Sequence, residues 1–255
     1  MIDIHSHILP GVDDGAQSME ESLEMAKEAA AEGITTILAT PHHQNGEFNN
    51  YKNDILIQVS ELNRKLQEQD IPLTVLPGQE TRIYGDFIEG LKKDEIMPLN
   101  ETTDYVFVEF PFEDVPRYAE SLLYNLQMEG YKPVIVHPER NHKIQENPNL
   151  MYELVKNGAF SQITAASLIG KFGNTAKKVS KQLIDANLAH LIASDAHNVK
   201  SRSFHMKKAY DMVKREYGQE MVYFFQENAQ YVIENQNLAS ETPEHVKKKK
   251  VLGLF

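Results

Sequence analysis

Asp3-Ile4-His5-Ser6-His7 reads as the end of a β-strand, and its reading decides the fold. Side chains alternate across a strand, so His5 and His7 project to the same side as two halves of a clamp. The pattern recurs down the chain. Thr40-Pro41-His42-His43, Gly78-Gln79-Glu80, Val108-Glu109-Phe110, Val136-His137-Pro138 and Ser194-Asp195-Ala196-His197 each close an apolar, β-branched run. One His-x-His pair alone is ordinary polar sequence. Strand after strand ending on His, Asp or Glu points to a single metal centre. Of the ten histidines, His5, His7, His42, His137 and His197 fit this pattern. His43, His142, His190, His205 and His245 read as surface or packing residues, with His43 also weighed as an acid beside the site.

Between these runs the period changes to that of a helix. Ser18 and Glu21 form a capping box before the stripe Met19, Leu23, Ala26 and Ala30, and Gly33 ends the helix before the strand Ile34 to Ala39. A helix over 50–69 precedes the strand Leu73 to Leu76, which Pro77-Gly78 breaks. Further strands follow at Tyr105 to Phe110, Pro133 to Val136, Phe160 to Ala165 and Leu191 to Ala193, with helices between them and a last one over Ser201 to Tyr217. About seven β-α units in succession predict a parallel sheet with helical crossovers. An open sheet would spread the strand ends over several widths of ~4.8 Å. A closed TIM-like α/β barrel brings every candidate ligand to one point. No Gly-x-Gly-x-x-Gly follows the first strand, and no Walker A motif occurs.

Composition narrows the chemistry. The 255 residues, 41% hydrophobic, suffice for one barrel domain over 1–255, with a polar peripheral tail from about Asn237 that still carries Val251, Leu252, Leu254 and Phe255. The absence of Cys excludes disulfides, thiolate ligands and cysteine nucleophiles, so a metal must be held by nitrogen and oxygen. No signal-peptide pattern and no run of ~20 apolar residues occurs, which predicts no membrane span and a cytoplasmic protein. A formal charge of -11 disfavours nucleic acid. The run Lys247-Lys248-Lys249-Lys250 reads as a solvated tail, with contact to an acidic partner or membrane surface as the lesser alternative. Tyr223-Phe224-Phe225 and Tyr231-Val232-Ile233 read as core or as a homo-oligomer interface.

In order over residues 1 to about 205, Asp3-x-His5-x-His7, Asp13-Asp14-Gly15, Thr40-Pro41-His42, Glu80, His137-Pro138-Glu139-Arg140 and Ser194-Asp195-x-His197 resemble the polymerase and histidinol phosphatase (PHP) superfamily. Asp3 to Gly15 is similar to its branch of bacterial manganese-dependent tyrosine-protein phosphatases from capsule and exopolysaccharide loci. The resemblance implies a distorted (β/α)7 barrel of PHP type holding three metal ions, Mn²⁺ first, with Fe or Zn as alternatives. It implies that His5, His7 and Asp195 hold one ion. Glu80 would bridge that ion to a second, completed by Glu109 and His137, while Asp14, His42 and His197 hold the third. Many superfamily members have His where this chain has Asp14 and Glu109. The departure fits the tyrosine phosphatase branch and makes the site more negative. Spacing leaves open whether Asp13 or Asp14 is the ligand.

Mixed imidazole and carboxylate donors independently suit Mn, Fe or Zn. Arg140 and Arg202, close to the motif residues, are the candidate phosphate-binding guanidiniums. The expected reaction is phosphomonoester hydrolysis by a metal-activated hydroxide with phenolate leaving, and no covalent enzyme intermediate. The resemblance implies a phosphotyrosine protein as substrate, a bacterial tyrosine kinase and its targets. Phe48, Tyr51, Tyr84, Phe87, Phe112 and Tyr118 are candidates for an aromatic rim or for packing. The alternatives are a small-molecule phosphatase such as histidinol phosphatase, an amidohydrolase, and a non-catalytic metal-binding docking protein. No predicted strand ends on the metal-bridging Lys common in amidohydrolases.

Overall fold

Parallel strands β1 (Ile2–Ser6), β2 (Thr36–Ala39), β3 (His42–His43), β4 (Thr74–Pro77), β5 (Glu80–Arg82), β6 (Tyr105–Glu109), β7 (Lys132–Val136), β8 (Phe160–Thr164) and β9 (Leu191–Ala193) alternate with helices in the computed structural model, which describes residues 1–247. Two sheets result, β1-β2-β4 and β3-β5-β6-β7-β8-β9. Seven of these strands fall on the expected runs; β3 and β5 lie beyond the predicted strand ends at Ala39 and Leu76 and continue those strands past a break. Pro41, which has no N–H for a ladder, separates β2 from β3, and Gly78-Gln79 separates β4 from β5. A Cβ on Gly78 would stand 3.0 Å from Thr40 Cγ2 and 3.3 Å from the Ala39 carbonyl, so the two breaks pack on one another through glycine. Beyond them the strands resume side by side, His42 opposite Glu80.

The barrel closes between its first and last strands. The His7 N–H donates to the Ala196 carbonyl at 2.8 Å, and the Asp195 N–H to that of His5 at 2.9 Å. Ile4, Leu38, Tyr105, Phe107, Val134, Val136, Leu191 and Ala193 form one buried cluster drawn from strands all round the barrel. Residues of the opposite strand faces, such as Ile37, Val75, Val106, Ile135 and Ile192, pack outward with the helices. Strands apolar on both faces are what a parallel barrel buried under helices requires.

The last helices, Met206–Tyr217 and Gln219–Ile233, belong to this shell. Phe225 and Val232 are buried, and Phe224, Tyr231 and Ile233 pack against buried neighbours, so both apolar stretches are largely core. The polar tail is pinned along the barrel: the Leu238 N–H donates to Tyr105 Oη, that of Glu244 to the Ala186 carbonyl, and that of Val246 to Asn149 Oδ1. Lys248 to Lys250 of the basic run, and Val251, Leu252, Leu254 and Phe255, lie outside the described residues. Among the described residues, no helix is long and apolar enough to cross a membrane.

Candidate metal centre

Glu80, the first residue of β5, stands at the middle of the strand ends. Its Oε1 is 2.6 Å from His137 Nε2. Its Oε2 is 3.3 Å from both His5 Nε2 and His7 Nε2 and 2.9 Å from His42 Nδ1. Asp195 Oδ1 closes the other side, 3.5 Å from His5 Nε2 and 3.2 Å from His7 Nε2. The two imidazole nitrogens lie 3.3 Å apart, as their shared strand face predicts. Asp14 Oδ1 lies 3.4 Å from His42 Nε2 and 3.2 Å from His197 Nε2. Glu109 Oε2 is 3.8 Å from His42 Nδ1. All nine residues expected as ligands therefore meet at one end of the barrel.

The donor atoms fit cations better than they fit one another. Glu80 Oε2, His42 Nδ1 and His197 Nε2 are buried and have no hydrogen-bond partner, although Glu80 and His42 approach closely. Atoms that share an ion at about 2.1 Å stand roughly 3.0–3.4 Å apart, which matches the spacings around His5 and His7. Three ion-sized groups emerge among the described residues: His5-His7-Glu80, His7-Asp14-His42-His197 and His42-Glu80-Glu109. They differ from the grouping the resemblance implied: the first holds the bridging Glu80 without Asp195, the second adds His7, and the third has His42 in place of His137. His42 stands with Glu80 and Glu109, while His137 reaches the cluster through the other oxygen of Glu80.

The surrounding hydrogen bonds set the imidazoles for metal. His5 Nδ1 donates to Gln162 Oε1 at 2.9 Å, His7 Nδ1 to Asp13 Oδ2 at 2.7 Å, and His197 Nδ1 to the Asp195 carbonyl at 3.0 Å. A proton held on Nδ1 leaves the Nε2 lone pair free for a cation. Asp13 also accepts the N–H groups of Gly15 and His42. The structure thus separates the two adjacent aspartates: Asp13 is buried and orients His7, while Asp14 reaches the cluster. Gly15 makes this turn possible, since a Cβ there would sit 2.0 Å from the His7 carbonyl oxygen. His137 and Asp195 both hold left-handed backbone, φ 35° and 53°, a strained conformation that recurs at functional sites.

Both arginines face the centre. Arg140 Nη1 donates to Asp195 Oδ2, and its guanidinium lies over Phe112 at 5.2 Å and Phe172 at 4.8 Å. Arg202 donates to Asp14 Oδ2 and to Asp195 Oδ2, each at 3.2 Å. A cavity of about 190 Å³ opens beside them, lined by cluster residues together with Asn45, Glu47, Phe48, Arg82 and Phe112. Of the aromatic candidates only Phe48 and Phe112 line it. Phe87 is core, Tyr51 packs on His43, Tyr84 stacks toward Phe87, and Tyr118 donates to the Ile83 carbonyl. His43 turns away from the cluster on β3 and packs edge-on against Tyr51, which removes it as an acid at this site.

Two contributors are absent from the sequence-based set, and a third, Asp13, stands there only as a possible ligand. Arg82 grips Glu109 with two hydrogen bonds, 2.8 and 2.9 Å. It lies two residues after Glu80 on β5, so strand alternation could have flagged it. Gln162 is a polar residue inside an otherwise buried strand, an equally available signal. Asp13, expected as an alternative to Asp14 for ligand, instead accepts from His7 Nδ1.

The neighbouring carboxylates favour the protonated form of two of the imidazoles. Burial works against a charge on His7 and His42, but Asp13 beside His7 and Glu80 beside His42 outweigh it. His7 is held well above its ordinary range and His42 is raised to about 10. Burial likewise opposes ionisation of Glu80 and Asp195, yet His42 and Arg140 respectively keep them charged. Burial, then the charge of Glu80, pushes Glu109 up despite Arg82. Imidazoles raised above their unfolded value contribute stability below pH ~6.5 and lose it as pH rises through the folded value. Metal-free protein should therefore lose stability as pH climbs from ~6.5 toward about 10, with His42 and His7 responsible. Cations require these imidazoles neutral, so metal loading should remove that decline. Urea melts across this window with and without Mn²⁺ would check it; parallel curves would refute it.

Comparison with known proteins gives a consistent picture. The family model described as "Capsular polysaccharide synthesis, CpsB/CapC" matches residues 1–234. The chain is 51% identical to tyrosine-protein phosphatase YwqE of Bacillus subtilis, over 100% of both chains. A solved structure of YwqE, described with Streptococcus pneumoniae CpsB as unique metal-dependent tyrosine phosphatases, has a TM-score of 0.95 at 51% identity, covering 97% of this chain and 100% of that one. Histidinol phosphate phosphatase of Lactococcus lactis shares the fold alone, with TM-score 0.53 at 13% identity, covering 84% of this chain and 94% of the other.

Proposed function

The chain belongs to the CpsB/CapC family of capsular polysaccharide synthesis, and from that premise we propose that it is a metal-dependent protein-tyrosine phosphatase. The observation that carries the reading is the meeting of His5, His7, Asp14, His42, Glu80, Glu109, His137, Asp195 and His197 beneath two guanidiniums at the rim of one cavity. Mn²⁺ is the favoured cation, with Fe or Zn as alternatives, because the donors mix imidazole with carboxylate. When bound, the ions would neutralise phosphoryl charge and acidify water.

The protein's own residues then have distinct tasks. Arg140 and Arg202 bind the phosphate oxygens; Asp195 and Asp14 pair with them through Oδ2 and would offer Oδ1 to the cations. Phosphoryl transfer is governed by positioning and charge stabilisation, and the buried, hydrogen-bonded cluster provides both without a nucleophilic side chain. Gln162 and Asp13 keep protons on the Nδ1 atoms of His5 and His7. The leaving phenolate is stable enough that no strong general acid has to protonate it first. We read the chain as one catalytic domain with a peripheral tail, acting in the cytoplasm on phosphotyrosines of a bacterial kinase of capsule or exopolysaccharide synthesis and of that kinase's targets.

The test is phosphate release from a tyrosine-phosphorylated peptide by metal-stripped protein, before and after Mn²⁺. Release only with metal is expected. No release despite measured metal uptake would overturn the reading.

A further inference from the structure

We infer that Phe48 and Phe112 clamp the aromatic ring of the substrate side chain, so that the site selects aryl over alkyl phosphate esters; this rests on the phosphatase reading above. Among the residues lining the cavity, these are the two with apolar side chains; the rest are charged or polar. Phe112 is 46% exposed, so core packing does not account for it. Phe48 is half-buried and lies nearly parallel to the His42 ring, 12° between planes and 6.4 Å between centroids.

Both rings are presented on anchored loops. Asn45 Oδ1 accepts the N–H groups of Glu47 at 3.0 Å and Phe48 at 2.7 Å. Asn50 Nδ2 ties the far end of that loop to the carbonyls of Val12 and His42. On the other side, Asn141 Nδ2 donates to the carbonyls of Pro111 and Asp114, and the His142 N–H to that of Phe112. Apolar side chains held rigidly in a charged cavity lower the cost of binding an apolar group there. Arg140 and Arg202 line the same cavity as Phe48 and Phe112, so a phosphate ester held by the arginines would place its ester group within reach of the rings. A phenyl ring can contact both faces there; a methyl or seryl carbon has little surface to offer. Arg140 also rests on Phe112, but Phe172 at 4.8 Å and Asp195 hold the guanidinium independently of that ring.

The experiment uses full-length, Mn²⁺-loaded protein as wild type, Phe48→Ala, Phe112→Ala and the double variant. It measures KM for phenyl phosphate and competitive Ki for methyl phosphate and inorganic phosphate. The double variant should raise the phenyl phosphate KM about tenfold, with both Ki values within about twofold of wild type. Phe112→Leu, which keeps bulk beneath Arg140, should also raise that KM while leaving both Ki values in place. Unchanged KM would overturn the ring clamp and leave the phosphatase reading standing. So would a parallel rise of all three constants, which would assign the rings to holding Arg140. No phenyl phosphate turnover by metal-loaded wild type would overturn the phosphatase reading and the clamp with it.

Discussion

Replacing both His5 and His7 by alanine is expected to reduce phosphotyrosine turnover by at least about a thousandfold, since bound cations supply several kcal/mol of transition-state stabilisation and each ~1.4 kcal/mol is tenfold in rate. The change removes two Nε2 atoms that face the Glu80 and Asp195 carboxylates within 3.5 Å. Those carboxylates are fully enclosed. With no imidazole between them they repel, and their affinity for protons rises at the expense of metal. The double variant should therefore bind less Mn²⁺ and gain less thermal stability from it. Elemental analysis, a melting curve with and without Mn²⁺, and phosphate release would establish this. Turnover at wild-type level would remove the cluster from the chemistry.

Arg140→Ala should act in the opposite way on metal and in the same way on rate. Losing one preorganised donor to a developing anion typically costs about 10²–10³ in rate. The guanidinium is nearly enclosed, pairs with Asp195 and rests between two phenyl rings, so its plane is fixed before substrate arrives. Lysine keeps the charge but neither the fork nor the stacking, and Arg140→Lys should recover little. Asp195, relieved of a competing cation, should hold Mn²⁺ at least as tightly as before. Measured kcat/KM should thus fall while metal affinity holds or rises. A joint loss of both would make Arg140 a support of the metal centre and not a phosphate ligand.

Much of this was readable from residues alone because the barrel repeats one physical rule. A buried strand writes its length and its end into apolar, β-branched runs, and the polar residue at each end is conspicuous. His5, Glu80, Glu109, His137 and Asp195 all announce themselves in that way. The breaks at Pro41 and Gly78 were visible as residues, but not their result, because splitting one barrel into two hydrogen-bonded sheets depends on how the two breaks pack together. Asp13 and Asp14 lie in a turn, where no period tells which carboxylate faces inward. Arg82 lies two residues beyond Glu80, outside any apolar run, and only the pairing of β5 with β6 sets it beside Glu109. The aromatic candidates divided according to loop conformation, which the asparagine anchors determine and composition does not.

The hydrogen bonds that join the first and last strands place His5 and His7 on one side of a seam and Asp195 on the other, with about 190 residues of chain between them. That separation has a consequence for assembly. Contacts this distant in sequence incur their loop-closure entropy before they return any energy, so they form late and slowly. During synthesis the His5 and His7 pair emerges first and must wait for β9 before Asp195 can complete its surroundings. A cation therefore cannot template the early stages of folding through this trio. It acts as a latch, binding across a seam that the rest of the barrel has already brought together and slowing its reopening.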